Sequence, residues 1–119
     1  MASPLSAAPL LYKFLVYAPD KADPDAPQYR QALMEEHMKA NEEKFKSGFF
    51  RIGGALLTEP AVGAPDDKRS MVGSCMIVEA ESLEAVREHI KKDPYWTSGK
   101  VWDTDRVAIH PFYWAVGQP

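Results

Sequence analysis

The chain has 119 residues, 45% of them hydrophobic, enough for one compact domain with a core and too few for two ordinary ones. Its formal net charge is -3 and its 14 basic residues are dispersed, which leaves no basic stripe for phosphates, so nucleic acid is not an expected partner. A single cysteine, Cys75, excludes an internal disulfide framework and a multi-cysteine zinc site, and it reads as core filler in a reducing compartment.

The apolar run near the N-terminus lacks a basic leader and is interrupted by Lys13, and no stretch approaches the roughly 20 apolar residues that cross a bilayer. A cytoplasmic protein with no membrane partner is the expectation. Residues 1–9, rich in Ala, Ser and Pro, read as a loose tail, and residues 10–117 as one domain. Residues 11–18 alternate apolar side chains on two faces and form a first strand. The Pro- and Asp-packed segment 19–27 is a loop. From Pro27, a favoured first-turn residue, a helix runs to a stop at Gly48, with Met34, Met38 and Phe45 marking its expected buried face.

Residues 49–57 read as a second strand, in which Gly53 and Gly54 suggest a bulge or the close approach of another backbone or a ligand. Turn residues fill 58–70. A third strand covers 71–80. Ser82 then caps a helix over 83–92 that turns Leu83, Val86 and Ile90 inward, and Pro94 closes it. An aromatic loop leads to a last strand over 106–116. The order strand, helix, strand, strand, helix, strand is the split βαβ pattern of an α+β, ferredoxin-like βαββαβ fold: a four-stranded antiparallel sheet with two helices on one face. Apolar residues on both faces of the strands leave the other sheet face to be covered, and a second copy dimerising through the sheet is the economical cover.

No phosphate loop is present, because the glycines of RIGGALL lack the G-x-G-x-x-G spacing and precede no helix. His37, His89 and His110 stand far apart without metal-ligand spacing, so neither a metal nor a cofactor is expected. Cys75, in mid-strand, lacks the setting of a reactive thiolate. His89, beside Glu88 and two lysines, reads as solvated, and His110 as structural. His37 lies beside the helical apolar stripe, where a side chain is both held and reachable: it is either a satisfied helix histidine or a proton acceptor with an ordinary pKa of about 6.5. A base of that kind needs a carboxylate to fix its tautomer, and Asp93, Asp103 and Asp105 are available. Asp93 is the best placed, since side-by-side helices bring the end of the second against the first. It is also an acid at a helix C-terminus, where the helix dipole favours a base, although Lys91 and Lys92 offset it.

The segments FLVYAPDKAD, RQALMEEHMKAN, GGALL, VGSCMIVEAESLEAVREHIKKDPYWTSG and VAIHPF, in this order over residues 11–112, resemble the YCII-related family, the DPY-x-x-x-G element being the most specific. The resemblance implies a subunit that dimerises through its sheet, as in dimeric α+β barrels. It also implies a dyad of His37 and Asp93 with Arg30, Gly54 and Ser74 at nearby motif positions. Members with an assigned activity are lyases or isomerases that abstract protons from small, often aromatic or quinone-like molecules. The N-terminal tail, the long 58–70 connection and the aromatic residues around Asp93 depart from compact members.

On that basis His37 is the expected general base and Asp93 its orienter. Arg30 would hold an anionic or enolate oxygen, Ser74 would donate a hydrogen bond, and Tyr95, Trp96 and Trp102 would either wall the substrate or pack core and interface. The expected activity is that of a cofactor-independent lyase or isomerase, of dehydratase, dehydrohalogenase or ring-modifying type, on a small aromatic, quinone-like or polyketide-like substrate. A noncatalytic ligand-binding or accessory protein and a purely structural partner domain are the alternatives.

Overall fold

The computed structural model of the chain describes residues 10–65 and 70–117. The expected tail and the centre of the 58–70 connection, residues 66–69, lie outside the described residues.

The elements run β1 (Tyr12–Pro19), α1 (Ala26–Lys46), β2 (Phe50–Leu57), a short 3-10 turn (Glu59–Ala61), β3 (Met71–Ala80), α2 (Leu83–Ile90), α3 (Pro94–Thr97) and β4 (Ala108–Phe112). The sheet order is β2-β3-β1-β4, with every neighbouring pair antiparallel. This is the expected ferredoxin-like α+β fold. Strand alternation sends Phe14, Val16 and Ala18 of β1 and Met76, Val78 and Ala80 of β3 to one face, where they form the core with Phe50, Val86, Ile90, Tyr95, Val101 and Trp102. The opposite face carries Leu15 and Ile77 at its centre and leaves Tyr17, Ile52 and Phe112 substantially exposed.

Three details differ from the sequence reading, each for a physical reason. The second helix stops at Ile90, and the segment after it is the helix α3, not a loop. The last strand is shorter than residues 106–116 because its pairing ends at Phe112 opposite Lys13, near the start of β1. The third difference concerns α1. Met34, Met38 and Phe45 are not its buried face: they are 42%, 54% and 40% exposed, while Arg30 and Asn41 are buried, with His37 half-buried beside them. The helix thus turns polar side chains inward. That is tolerable only because each of them meets a partner.

Candidate functional site

Asp93 joins the two helical layers. It stands three residues beyond α2 and is the N-cap of α3, where its Oδ1 accepts the backbone N–H of Tyr95 at 2.8 Å. Its extended backbone (φ -67°, ψ 138°) is the conformation that both a cap and a residue before proline require. A carboxylate at a helix N-terminus is favourably placed, so the acid that looks misplaced after α2 is correctly placed before α3. Asp93 is 4% exposed. The Nδ1 of His37 lies 2.8 Å from both of its oxygens, and the Nδ2 of Asn41 donates to Oδ2 at 2.8 Å.

An ionised carboxylate only accepts hydrogen bonds, so His37 carries its proton on Nδ1, and Nε2 is left with a free lone pair. Nε2 has no hydrogen-bond partner among the described residues. The imidazole stacks on Tyr95 (centroids 4.0 Å apart, planes 6° apart) and meets the edge of Trp102 at 6.1 Å, which fixes its plane. Tyr95 is itself pinned: its hydroxyl donates to the backbone carbonyl of Arg30 at 3.2 Å, and the Arg30 guanidinium lies 4.9 Å from its ring centre. Burial holds the Tyr95 phenol above its ordinary pKa against the pull of Arg30, so it remains a donor.

The second polar chain starts at Asp20, which the sequence reading placed in a loop. Asp20 pairs with Trp102 in an isolated β-bridge beyond β1, and its carboxylate accepts Arg30 Nε at 2.8 Å and Nη2 at 3.0 Å. Arg30 Nη2 and Trp102 Nε1 both donate to Ser74 Oγ, at 2.8 and 3.2 Å. Two donors on one hydroxyl oxygen leave its own hydrogen free to donate elsewhere. Arg30 is therefore not a free cation waiting for an anion. Its charge is matched by Asp20, and what it offers is a polarised Ser74 hydroxyl together with the unbonded Nη1.

These two chains border a cavity of about 200 Å³ whose polar lining is Arg30, His37, Asn41, Ser74 and Tyr95 and whose apolar lining is largely Met34, Met38, Phe45, Met71 and Met76. The displaced apolar stripe of α1 is the wall of this cavity. Of the residues singled out from sequence, His37, Asp93, Arg30, Ser74 and Tyr95 are brought together here. Gly54 lines the cavity through its backbone, because its register opposite Cys75 turns its side-chain position to the other sheet face, where an added Cβ would meet nothing. Gly53 faces the cavity side instead: a Cβ there would lie 3.0 Å from the Phe45 ring, a tight contact to which the exposed ring would have to yield. Trp102 is fully buried behind the cavity as donor to Ser74, and Trp96 packs on the core under Lys91, so neither lines the cavity.

Asp20, Asn41 and His89 escaped the sequence reading as site residues. Asn41 had a signal, since it follows His37 by one helical turn. His89, expected to be solvated, is half-buried against Phe49 and Phe50, and its Nε2 lies 2.8 Å from Asn41 Oδ1. Burial, reinforced by Lys44, lowers its pKa below the usual 6.5.

A four-stranded antiparallel sheet with helices on one face, and a histidine-aspartate pair beside an apolar cavity, define a ferredoxin-like α+β protein. The model of the YCII-related domain matches residues 12–110, and the chain belongs to that family. It is 34% identical over 102 residues to "Fusaric acid biosynthesis protein 2" of Gibberella moniliformis, an alignment covering 86% of this chain and 93% of the relative. It is also 34% identical over 91 residues to "Derivative of benzaldehyde biosynthesis cluster protein C" of Emericella nidulans, covering 76% and 90%. Among solved structures it resembles 5-chloro-2-hydroxyhydroquinone dehydrochlorinase from Burkholderia phenoliruptrix AC1100 in complex with 2,5-dihydroxybenzoquinone. The TM-score is 0.71 and the identity 28%, over 85% of this chain and 93% of that one.

Proposed function

We propose that the protein is a lyase or isomerase working by proton transfer on a small, flat, oxygenated ring compound, of aromatic, quinone-like or polyketide-derived type. The observation that carries this reading is His37, held through Nδ1 by Asp93 at 2.8 Å while Nε2 makes no bond at the cavity. Nε2 takes a proton from a carbon or hydroxyl of the substrate, and Asp93 balances the imidazolium that forms. The released electron pair expels a leaving group from the adjacent carbon, or the proton returns to a neighbouring carbon. Negative charge gathering on a ring oxygen is met by the Ser74 hydroxyl and Arg30 Nη1. The dehydrochlorinase neighbour and the biosynthetic-cluster relatives support this choice of chemistry and of substrate class.

The exposed apolar sheet face with Tyr17, Ile52 and Phe112 supports a homodimer joined through the sheet. No helix among the described residues is long and apolar enough to cross a membrane.

The test is a screen of hydroxylated benzoquinones, chlorinated hydroquinones and cyclic polyketide fragments with the intact protein, His37→Ala and Asp93→Asn. A positioned base contributes about 10²–10⁴-fold, so both variants are expected to lose turnover by that order while retaining their far-UV circular dichroism. Turnover that survives both substitutions overturns the dyad mechanism. Binding of these compounds without turnover in the intact protein assigns it instead to the ligand-binding or accessory class.

A further inference from the structure

The hydrogen bonds around Asp93 do not stop at the dyad. Asn41, 2% exposed, donates from Nδ2 to Asp93 Oδ2 at 2.8 Å and to the backbone carbonyl of His37 at 2.7 Å, and its Oδ1 faces His89 Nε2 at 2.8 Å. Two fixed acceptors on one side of the amide decide its orientation. The flipped amide would set its carbonyl oxygen against a carboxylate and a peptide oxygen at once. With Oδ1 turned to His89, that ring has to be the donor, through Nε2–H. The remaining 3.4 Å approach of Asn41 Nδ2 to His37 Nδ1 brings two donors together and is not a bond.

We propose that Asn41 and His89 are positioning residues for the dyad, acting as a proton-ordered relay that sets His37 and His89 in opposite tautomers. His37 is protonated on Nδ1 and His89 on Nε2, with Asp93 and Asn41 passing the constraint from one ring to the other. Without Asn41, Asp93 Oδ2 loses a donor, and the carboxylate is held only through the Tyr95 N–H on Oδ1 and by His37 itself. Without the donor at His89, the buried Asn41 Oδ1 loses its partner, and the amide is held to the carboxylate from one end only. In either case the Nε2 lone pair of His37 at the cavity is no longer guaranteed. His89 is well suited to the part, because Phe49 and Phe50 pack its ring edge to face (5.0 and 5.3 Å) and its lowered pKa keeps it neutral with one N–H to give.

The inference rests on the catalytic reading for its purpose but not for its test, since tautomers are observed without any substrate. Long-range ¹H–¹⁵N correlation of the intact, unliganded protein, at a pH where both rings are neutral, reads the proton on each nitrogen directly. The wild type is expected to show His37 as the Nδ1–H form, the minor one in free histidine, and His89 as the Nε2–H form. His89→Phe keeps the aromatic packing but removes the donor. It is expected to raise the Nε2–H fraction of His37 about tenfold, the equivalent of one net hydrogen bond to a charged group. His89→Gln, which returns an amide N–H near the Nε2 position, is expected to restore the wild-type tautomer, and Asn41→Ala to remove it again. Identical tautomers in the wild type overturn the relay. So does a His37 tautomer unchanged in both His89→Phe and Asn41→Ala. A protein that turns nothing over but shows the opposed tautomers fails the catalytic reading and leaves the relay standing.

Discussion

Two polar chains reach the cavity, and they end in opposite ways. The chain from His89 through Asn41 and Asp93 to His37 is ordered so that its last atom, Nε2, is an acceptor. The chain from Asp20 through Arg30 to Ser74, joined by the Trp102 N–H, saturates the acceptors of the hydroxyl and ends in a donor. Buried polar groups must be satisfied whatever the function, and a structure could do this with closed networks. Here each network leaves a group open at the cavity, Nε2 of His37 in one and the Ser74 hydrogen in the other. In the proposed reaction this difference sets the direction: the proton leaves the ligand toward His37, and negative charge develops toward Ser74.

The largest expected effect comes from breaking the second chain at its source. Asp20→Asn leaves the 7%-exposed Arg30 without its counter-charge, and removing one partner of a buried ion pair costs about 3–5 kcal/mol. Denaturant unfolding should report a loss of that size, and a loss below about 1 kcal/mol would mean that the pair is solvated. In the surviving folded fraction, an anionic ring compound should bind more tightly, because Arg30 is then free to meet it.

Next in size, Ser74→Ala deletes the donor at the end of the same chain. Loss of an oxyanion-stabilising donor lowers kcat by about 10²–10³-fold, whereas orphaning Trp102 Nε1, with Arg30 Nη2 left to Asp20 alone, costs about 1–3 kcal/mol in stability. Measuring both separates the roles. A stability loss with kcat unchanged would make Ser74 a strut and would end the donor-acceptor contrast.

The smallest effect tests the first chain through pH. The folded-state pKa of His89 lies below its unfolded value of about 6.5, so the unfolded chain binds more protons over that interval. The stability contributed by neutral His89 is complete above about pH 6.5 and is lost as pH falls through the lowered folded value. Thermal unfolding of the wild type should therefore show a loss in this window that His89→Phe does not. Superimposable pH profiles for the two proteins would place His89 in solvent, as the sequence first implied.

The dyad was legible in the sequence because His37 and Asp93 each sit at a marked position, one beside a helical stripe and the other before a proline. The polar residues around them were not: Asn41 shows only its place one helical turn after His37, and His89 and Asp20 carry no local mark of their use. Asn41 resembles any polar helix residue until Asp93 arrives from 52 positions away, and Asp20 resembles any turn aspartate until Arg30 faces it. The stripe of Met34, Met38 and Phe45 was read correctly in its spacing and wrongly in its destination. Periodicity identifies a helical face but not what lies opposite it.

The sequence by itself determined the order of the main strands and helices and the antiparallel ferredoxin-like architecture, because alternation, caps and prolines act within a few residues; His37 and Asp93 it offered as a candidate pair, which the family resemblance singled out. Only the tertiary structure decided that Asp93 caps α3 as well as holding His37, that Arg30 is spent on Asp20, that Gly53 rather than Gly54 yields space to Phe45, and that the tryptophans stand behind the wall. Each of these depends on which donor meets which acceptor across the fold. That is set by the register of the sheet and the lie of α1 over it, and no local pattern encodes it.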